Sequence, residues 1–155
     1  MAVNPIPEGY HSLQIYLAVE DAAKAIDFYK EAFGAEETIR MPGPDGKVAH
    51  AELQIGDSKL MLSDPFPQSN VRPPSERGGA TASVFMYVDD VDATFAQAQQ
   101  AGATVVSELE DMFWGDRFVT FADTFGHVWA MATHKEDLSE EEMAERSKAA
   151  MAEMS

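Results

Sequence analysis

Two stretches of the chain share one order of hydrophobic and polar positions. Ile15-Tyr16-Leu17-Ala18-Val19-Glu20-Asp21 and Val84-Phe85-Met86-Tyr87-Val88-Asp89-Asp90 are apolar, strand-like runs that both end in acids. After the first, Ala22, Ala25, Ile26, Tyr29, Ala32 and Phe33 recur at helical spacing, and Gly34 stands where a left-handed residue would close the helix. After the second, Val91, Phe95, Ala98 and Ala101 do the same before Gly102. Three strands are predicted after each helix: 36–41, 48–55 and 59–63 in the first half, then 104–107, 117–122 and 127–133 in the second. The plan is βαβββ, twice, and the predicted class is α+β.

Turn residues set the boundaries. Module one spans about residues 10–63 and module two about 81–134, within a single domain of residues 1–155. Between them, residues 64–80 contain Pro65, Pro67, Pro73, Pro74, Gly78 and Gly79 and read as a linker. A second irregular stretch, 108–116, carries Met112, Phe113 and Trp114, which makes it a candidate binding loop or a cover for the core. Ser139 followed by Glu142 has capping-box spacing, so a C-terminal helix is expected at about 139–153.

Alternation at period two divides each strand into a helix-covered and an open face. Leu13, Ile15, Leu17 and Val19 oppose Gln14, Tyr16 and Ala18; Ala51, Leu53 and Ile55 oppose His50, Glu52 and Gln54. In module two Val84, Met86 and Val88 oppose Ser83, Phe85 and Tyr87, while Val119 and Phe121 oppose Phe118 and Thr120. Trp129 and Met131 oppose Val128 and Ala130, and Trp129 and Met131 are expected on the open side. One open face is then polar, with Gln14, Tyr16, His50 and Glu52. The other is aromatic and soft, with Phe85, Phe118, Trp129 and Met131.

Composition narrows the function. The 155 residues include no cysteine, which excludes disulfides, thiolate metal sites and a cysteine nucleophile. A formal charge of −16 sets the chain against nucleic acid and acidic membrane surfaces, so neither is an expected partner. No run approaches the roughly 18 apolar residues of a membrane span. Residues 1–10 lack the basic and apolar regions of a signal peptide, and the expected location is cytoplasmic.

Few residues suggest chemistry. His50 and Glu52, two apart on one strand, project to the same side and suit either a general acid/base pair or a hydrogen-bonded structural pair. Together with Gln14 they are also reserve candidates for a metal site, with His11 held further back. Arg117 suits an anionic ligand group, or else it pairs with Asp116 to pin the loop. His127 reads as a turn residue and His134 as a solvated one.

The run Ala25-Ile26-Asp27-Phe28-Tyr29-Lys30-Glu31-Ala32-Phe33-Gly34, after a strand and an acid, resembles the opening module of the vicinal oxygen chelate superfamily. That superfamily groups glyoxalase I, bleomycin-resistance proteins and extradiol dioxygenases. The chain is most similar to its PhnB-like branch, through 4–11, 41–47, Gly115-Asp116-Arg117, Gly126-His127-Val128-Trp129 and 132–137. The resemblance implies paired βαβββ modules whose open faces form a cup, with a homodimer as the usual assembly. By it, the metal-ligand positions of the superfamily's enzymes fall on Gln14, Met61, Ser83 and Trp129, a set of which only Gln14 is a plausible ligand. The expected function is therefore binding of a small, partly aromatic molecule, with no cofactor, by Gln14, Tyr16, Phe85, Trp114, Arg117, Phe118 and Trp129. The alternative is a lyase, isomerase or oxygenase-like enzyme that uses a divalent metal ion or the His50–Glu52 pair.

Overall fold

The computed structural model describes residues 2–155; Met1, part of the opening stretch read above for a leader, lies outside the described residues. Module one contains β1 (Ile15–Ala18), α1 (Ala22–Phe33), β2 (Glu36–Pro42), β3 (Val48–Ile55) and β4 (Ser58–Ser63). Module two repeats the order with β5 (Ser83–Tyr87), α2 (Val91–Ala101), β6 (Thr104–Asp111), β7 (Asp116–Ala122) and β8 (Val128–His134), and α3 (Glu140–Glu153) follows. Each module forms a four-stranded sheet, ordered β1-β4-β3-β2 and β5-β8-β7-β6. In each, the first strand runs parallel to the last and the other pairs are antiparallel. That arrangement needs a crossover after the first strand, which the helix supplies.

Local chemistry explains the helix limits. The Asp21 carboxylate accepts from the Lys24 amide at the start of α1, and Gly34 closes it at φ 66° with its N–H directed to the Lys30 and Tyr29 carbonyls. Asp64, buried at the end of module one, takes bonds from the amides of Ala22 and Val48 and so ties the helix start to the sheet. In α3 the Ser139–Glu142 capping box is complete in both directions.

One hydrophobic core runs through both modules, because α1 and α2 pack on each other and α1 also reaches the second sheet. Phe33 meets Trp129 at 4.8 Å between ring centroids, Tyr29 meets Trp129 at 5.4 Å, and Phe28 meets Phe125 at 6.1 Å. The Tyr29 hydroxyl donates to Asp123 at 2.6 Å, and His127 Nε2 lies 2.9 Å from the Ala18 carbonyl oxygen. His127 is thus a bridge between modules, which its place in a turn did not suggest.

Two expectations are corrected. Residues 108–116 are not all irregular: β6 continues to Asp111, with register shifts along its pairing to β7 that hid the alternation. The loop proper is 112–115. The last strand also has the opposite facing to that expected, since Trp129 is 1% exposed and Met131 fully buried in the core, while Val128, Ala130, Ala132 and His134 share the open side. Alternation in this all-apolar run offers no polar face to choose by, and α1 covers Trp129. The two sheets share no strand pair, as expected of two separate βαβββ modules.

Candidate functional site

Strand parity builds the open face of module two. The central strand β8 contributes Ala130 and Ala132, with β5 on one side and β7 on the other. Phe85 and Tyr87 stand opposite Ala130 and Ala132, and Phe118 stands opposite Ala132 from the other side. Two methyl groups thus form a low floor between aromatic walls, buried beneath the rings that lean over it. Phe85 and Phe118 stack across it at 5.9 Å and 30°, Phe85 meets Tyr87 at 5.0 Å, and Trp114 meets Phe118 edge-on at 5.4 Å. Phe85 is 47% exposed and Tyr87 61%, far from the burial of the core aromatics. Beside Phe85 and Tyr87 lies a cleft of about 640 Å³ whose other wall includes Ile55, Ser58 and Lys59 of module one.

Asp116 holds the rim of this surface. Its carboxylate, in a residue only 3% exposed, accepts from Tyr87 Oη at 2.8 Å and Trp114 Nε1 at 3.0 Å, and its other oxygen lies 2.8 Å from His134 Nδ1. His134 Nε2 lies 2.8 Å from Asp137. Burial works against the charged Asp116, but the bonds from His134, Tyr87 and Trp114 outweigh it and hold the carboxyl below its ordinary range. Asp116 and then Asp137 raise the His134 imidazole above the ordinary histidine value. A group whose pKa rises on folding stabilises the fold fully below its unfolded value of about 6.5 and loses that contribution as pH rises through the folded value. An NMR titration of His134 is expected to give a midpoint above that of free histidine, and His134→Gln to remove this part of the pH dependence of stability. A midpoint at or below 6.5 contradicts the paired geometry.

The open face of module one is polar. His50 Nε2 lies 3.0 Å from Glu52 Oε1, and His50 Nδ1 lies 3.1 Å from the Tyr16 hydroxyl. Tyr10, in the segment before β1, donates a short bond to the other Glu52 oxygen. Glu52 is 6% exposed. Burial alone would raise its carboxyl, but hydrogen bonds from His50 and Tyr10, with the charges of His50 and Lys59, bring it below the ordinary range. The Lys59 ammonium also sits over the Tyr10 ring, 5.4 Å from its centroid. The result is a chain Tyr16–His50–Glu52–Tyr10 in which the carboxylate orients the imidazole.

The structure therefore brings Tyr16, His50 and Glu52 together on one open face, and Phe85, Trp114 and Phe118 together on the other. It does not bring the remaining three to either. Trp129 is in the core, where its indole donates to Asp123 at 2.9 Å. Arg117 points to the helix side, bonded to Asp92 at 2.8 and 3.0 Å and to Asp111 at 3.3 Å rather than to Asp116, because odd and even residues of β7 face opposite ways. Gln14 donates its amide back to the His11 carbonyl. Sequence reasoning missed Tyr10, Asp116 and His134. Tyr10 and His134 lie at the margins of the strands, and only β7 parity placed Asp116 with Phe118.

The sequence pattern of the Glyoxalase/Bleomycin resistance protein/Dioxygenase superfamily matches residues 11–131. The chain belongs to this superfamily. It is 44% identical over 146 residues to an uncharacterised protein of Mycobacterium tuberculosis, covering 92% of this chain and 84% of that one. Among solved structures it is similar to TnmS3, an antibiotic binding protein from a Streptomyces species, with TM-score 0.63, 28% identity, and coverage of 87% of this chain and 99% of that one. A PhnB protein from Bacillus cereus shares the fold at TM-score 0.62 and 18% identity, covering 79% and 99%.

The resemblance places the metal-ligand positions of the superfamily's enzymes on Gln14, Met61, Ser83 and Trp129. A thioether, a hydroxyl, an indole turned into the core and an amide already bonded to backbone do not fit a divalent ion, which needs several oxygen or imidazole donors at about 2 Å. Moving the last position by one residue, to the open face, offers only Val128 or Ala130. Among the described residues no group of three His, Cys, Asp or Glu side chains gathers as a cation would require. Among them, too, no helix is long and apolar enough to cross a membrane.

Proposed function

We propose that this superfamily member is a cytoplasmic protein that binds a small, partly aromatic molecule on the module-two wall, without a metal, and that a homodimer completes the cup over it. The observation that carries the reading is the wall itself: Phe85 and Tyr87 stand exposed beside the half-buried rings of Phe118 and Trp114, over two buried alanines of the central strand. Neighbouring aromatic rings left exposed on a single chain suit a recognition surface, and a flat ligand gains both burial and stacking there. The likeness to an antibiotic binding protein points the same way.

A screen of planar aromatic metabolites and antibiotics by thermal shift tests it, since a ligand of the folded state raises the melting temperature with the logarithm of its concentration. Phe118→Ala is expected to weaken any hit about tenfold, the equivalent of roughly 1.4 kcal/mol, with little change in stability. Hits whose affinity ignores Phe118 would overturn the assignment.

The second reading, an acid/base enzyme, is favoured by one observation: the Tyr16–His50–Glu52–Tyr10 chain holds an imidazole against a buried, ionised carboxylate. If that chain is catalytic, His50→Ala abolishes turnover of a hit while leaving its affinity near that of the wild type. Elemental analysis of protein purified without chelator separates both readings from a metal enzyme.

A further inference from the structure

The four rings form an open row, Tyr87–Phe85–Phe118–Trp114, with successive centroids 5.0, 5.9 and 5.4 Å apart. The ends of that row return to one atom. Asp116 Oδ2 accepts from Tyr87 Oη at 2.8 Å and from Trp114 Nε1 at 3.0 Å, so a single carboxylate oxygen closes the row. Phe85 and Phe118 carry no polar handle and are held by their strands. Tyr87 projects from the last position of β5, and Trp114 sits in the loop before β7, where no ladder fixes it. Left untethered, the exposed Tyr87 ring and the half-buried Trp114 ring would each sample several rotamers and lose that freedom on binding, at about 0.5–1.5 kcal/mol per side chain.

We propose that Asp116 is the positioning residue of the ligand wall: it fixes the rings of Tyr87 and Trp114 in advance, and its removal weakens binding without removing any ring. The inference rests on the reading of this wall as the ligand surface, but its first consequence holds in the free protein. His134 Nδ1 on the second oxygen keeps the carboxylate from rotating away. Gly115 shapes the approach of the loop. At φ +97°, a Cβ there would come within 2.6 Å of the Glu136 carbonyl oxygen, so the residue before Asp116 has no room for a side chain.

Asparagine is the informative substitution. Its single carbonyl oxygen can still accept from Tyr87 and Trp114, with the NH₂ facing His134 in its other tautomer. Alanine keeps neither bond. A structural role alone would make the two variants differ in melting temperature only.

The test has two arms, both run well below each variant's melting point. In the free protein, acrylamide quenching of Trp114 is measured by difference against Trp114→Phe, because Trp129 is the only other tryptophan and lies in the core. Asp116→Ala is expected to raise the Trp114 quenching constant at least twofold, and Asp116→Asn to restore most of the protection. In the second arm N-phenyl-1-naphthylamine, a neutral aromatic probe indifferent to the charge of −16, is titrated by its own fluorescence. Its affinity is expected to fall at least tenfold in Asp116→Ala and to recover in Asp116→Asn. Unchanged quenching in Asp116→Ala overturns the proposal, as does loosened quenching with unchanged probe affinity. If the probe binds wild type and Phe118→Ala equally, or neither, the wall reading fails while the quenching arm still decides the role of Asp116. Should Asp116→Ala not fold, Tyr87→Phe removes one tether from outside the buried site. About a threefold loss of probe affinity, with Trp114 quenching unchanged, is then expected, and no loss overturns the proposal.

Discussion

Replacing Asp123 with alanine is expected to cost about 3–5 kcal/mol of stability, the largest loss from any single polar side chain in this protein. The carboxylate is buried in the turn between β7 and β8 and serves four donors: Tyr29 Oη at 2.6 Å, Trp129 Nε1 at 2.9 Å, and the amides of Phe125 and His127 at 2.9 and 3.0 Å. Alanine leaves all four without an acceptor, and the tyrosine and tryptophan groups are too deep for water to replace it. Burial and then the nearby Asp123 charge already push the Tyr29 hydroxyl well above its ordinary pKa, so Tyr29 stays a donor and cannot adapt by ionising. The bond also crosses between modules, from α1 of the first to the last turn of the second. A domain of this size stores only about 5–15 kcal/mol in total. Roughly 10 °C of melting temperature should go with Asp123→Ala, and Asp123→Asn, which keeps one acceptor, should lose about half as much. Calorimetry that finds less than about 2 °C lost would mean that the modules are held together without this clasp.

The second large effect separates core from site. Trp129→Ala is expected to cost about 3–5 kcal/mol, because the indole is enclosed by Tyr29 and Phe33 and the remaining cavity cannot collapse. Phe85→Ala, on a ring nearly half in solvent, should cost less than the roughly 1.5 kcal/mol at the foot of the range for a fully buried hydrophobe. Chemical denaturation of the two variants side by side decides the facing of β8 and β5. Similar midpoints for both, or a mild Trp129→Ala that instead weakens aromatic ligands, would return Trp129 to the open face.

The architecture was legible in the sequence where a single local rule dominates. Helix periodicity with Asp21 and Gly34 at its ends located α1, and the Ser139–Glu142 spacing located α3. The β3 limits, Val48 and Ile55, followed from strict alternation between turns. The facing of β8 did not, because Val-Trp-Ala-Met-Ala is apolar at every position and its two faces differ only in size. Size here runs against the intuition that a binding wall carries its aromatics on every strand: the central strand presents alanines so that its neighbours' rings can lean together. Of the two roles open to Arg117, pairing with Asp116 fails because adjacent strand residues face opposite ways, and Asp92 and His134, one partner of each, are distant in sequence. The contact between His50 and Glu52 followed from their spacing of two. Tyr10 escaped notice because it belongs to no strand, though it completes that cluster.

The most direct test of the wall as the binding surface is a methyl NMR titration of alanine-labelled protein with a hit from the aromatic screen. Ala130 and Ala132 lie between the aromatic strands as the floor of the proposed site. A stacked ligand should shift those two methyl signals most, through ring currents, and leave Ala25 and Ala32 of α1 unmoved. Shifts centred on Ala18, at the polar face of module one, with Ala130 and Ala132 unchanged, would contradict it.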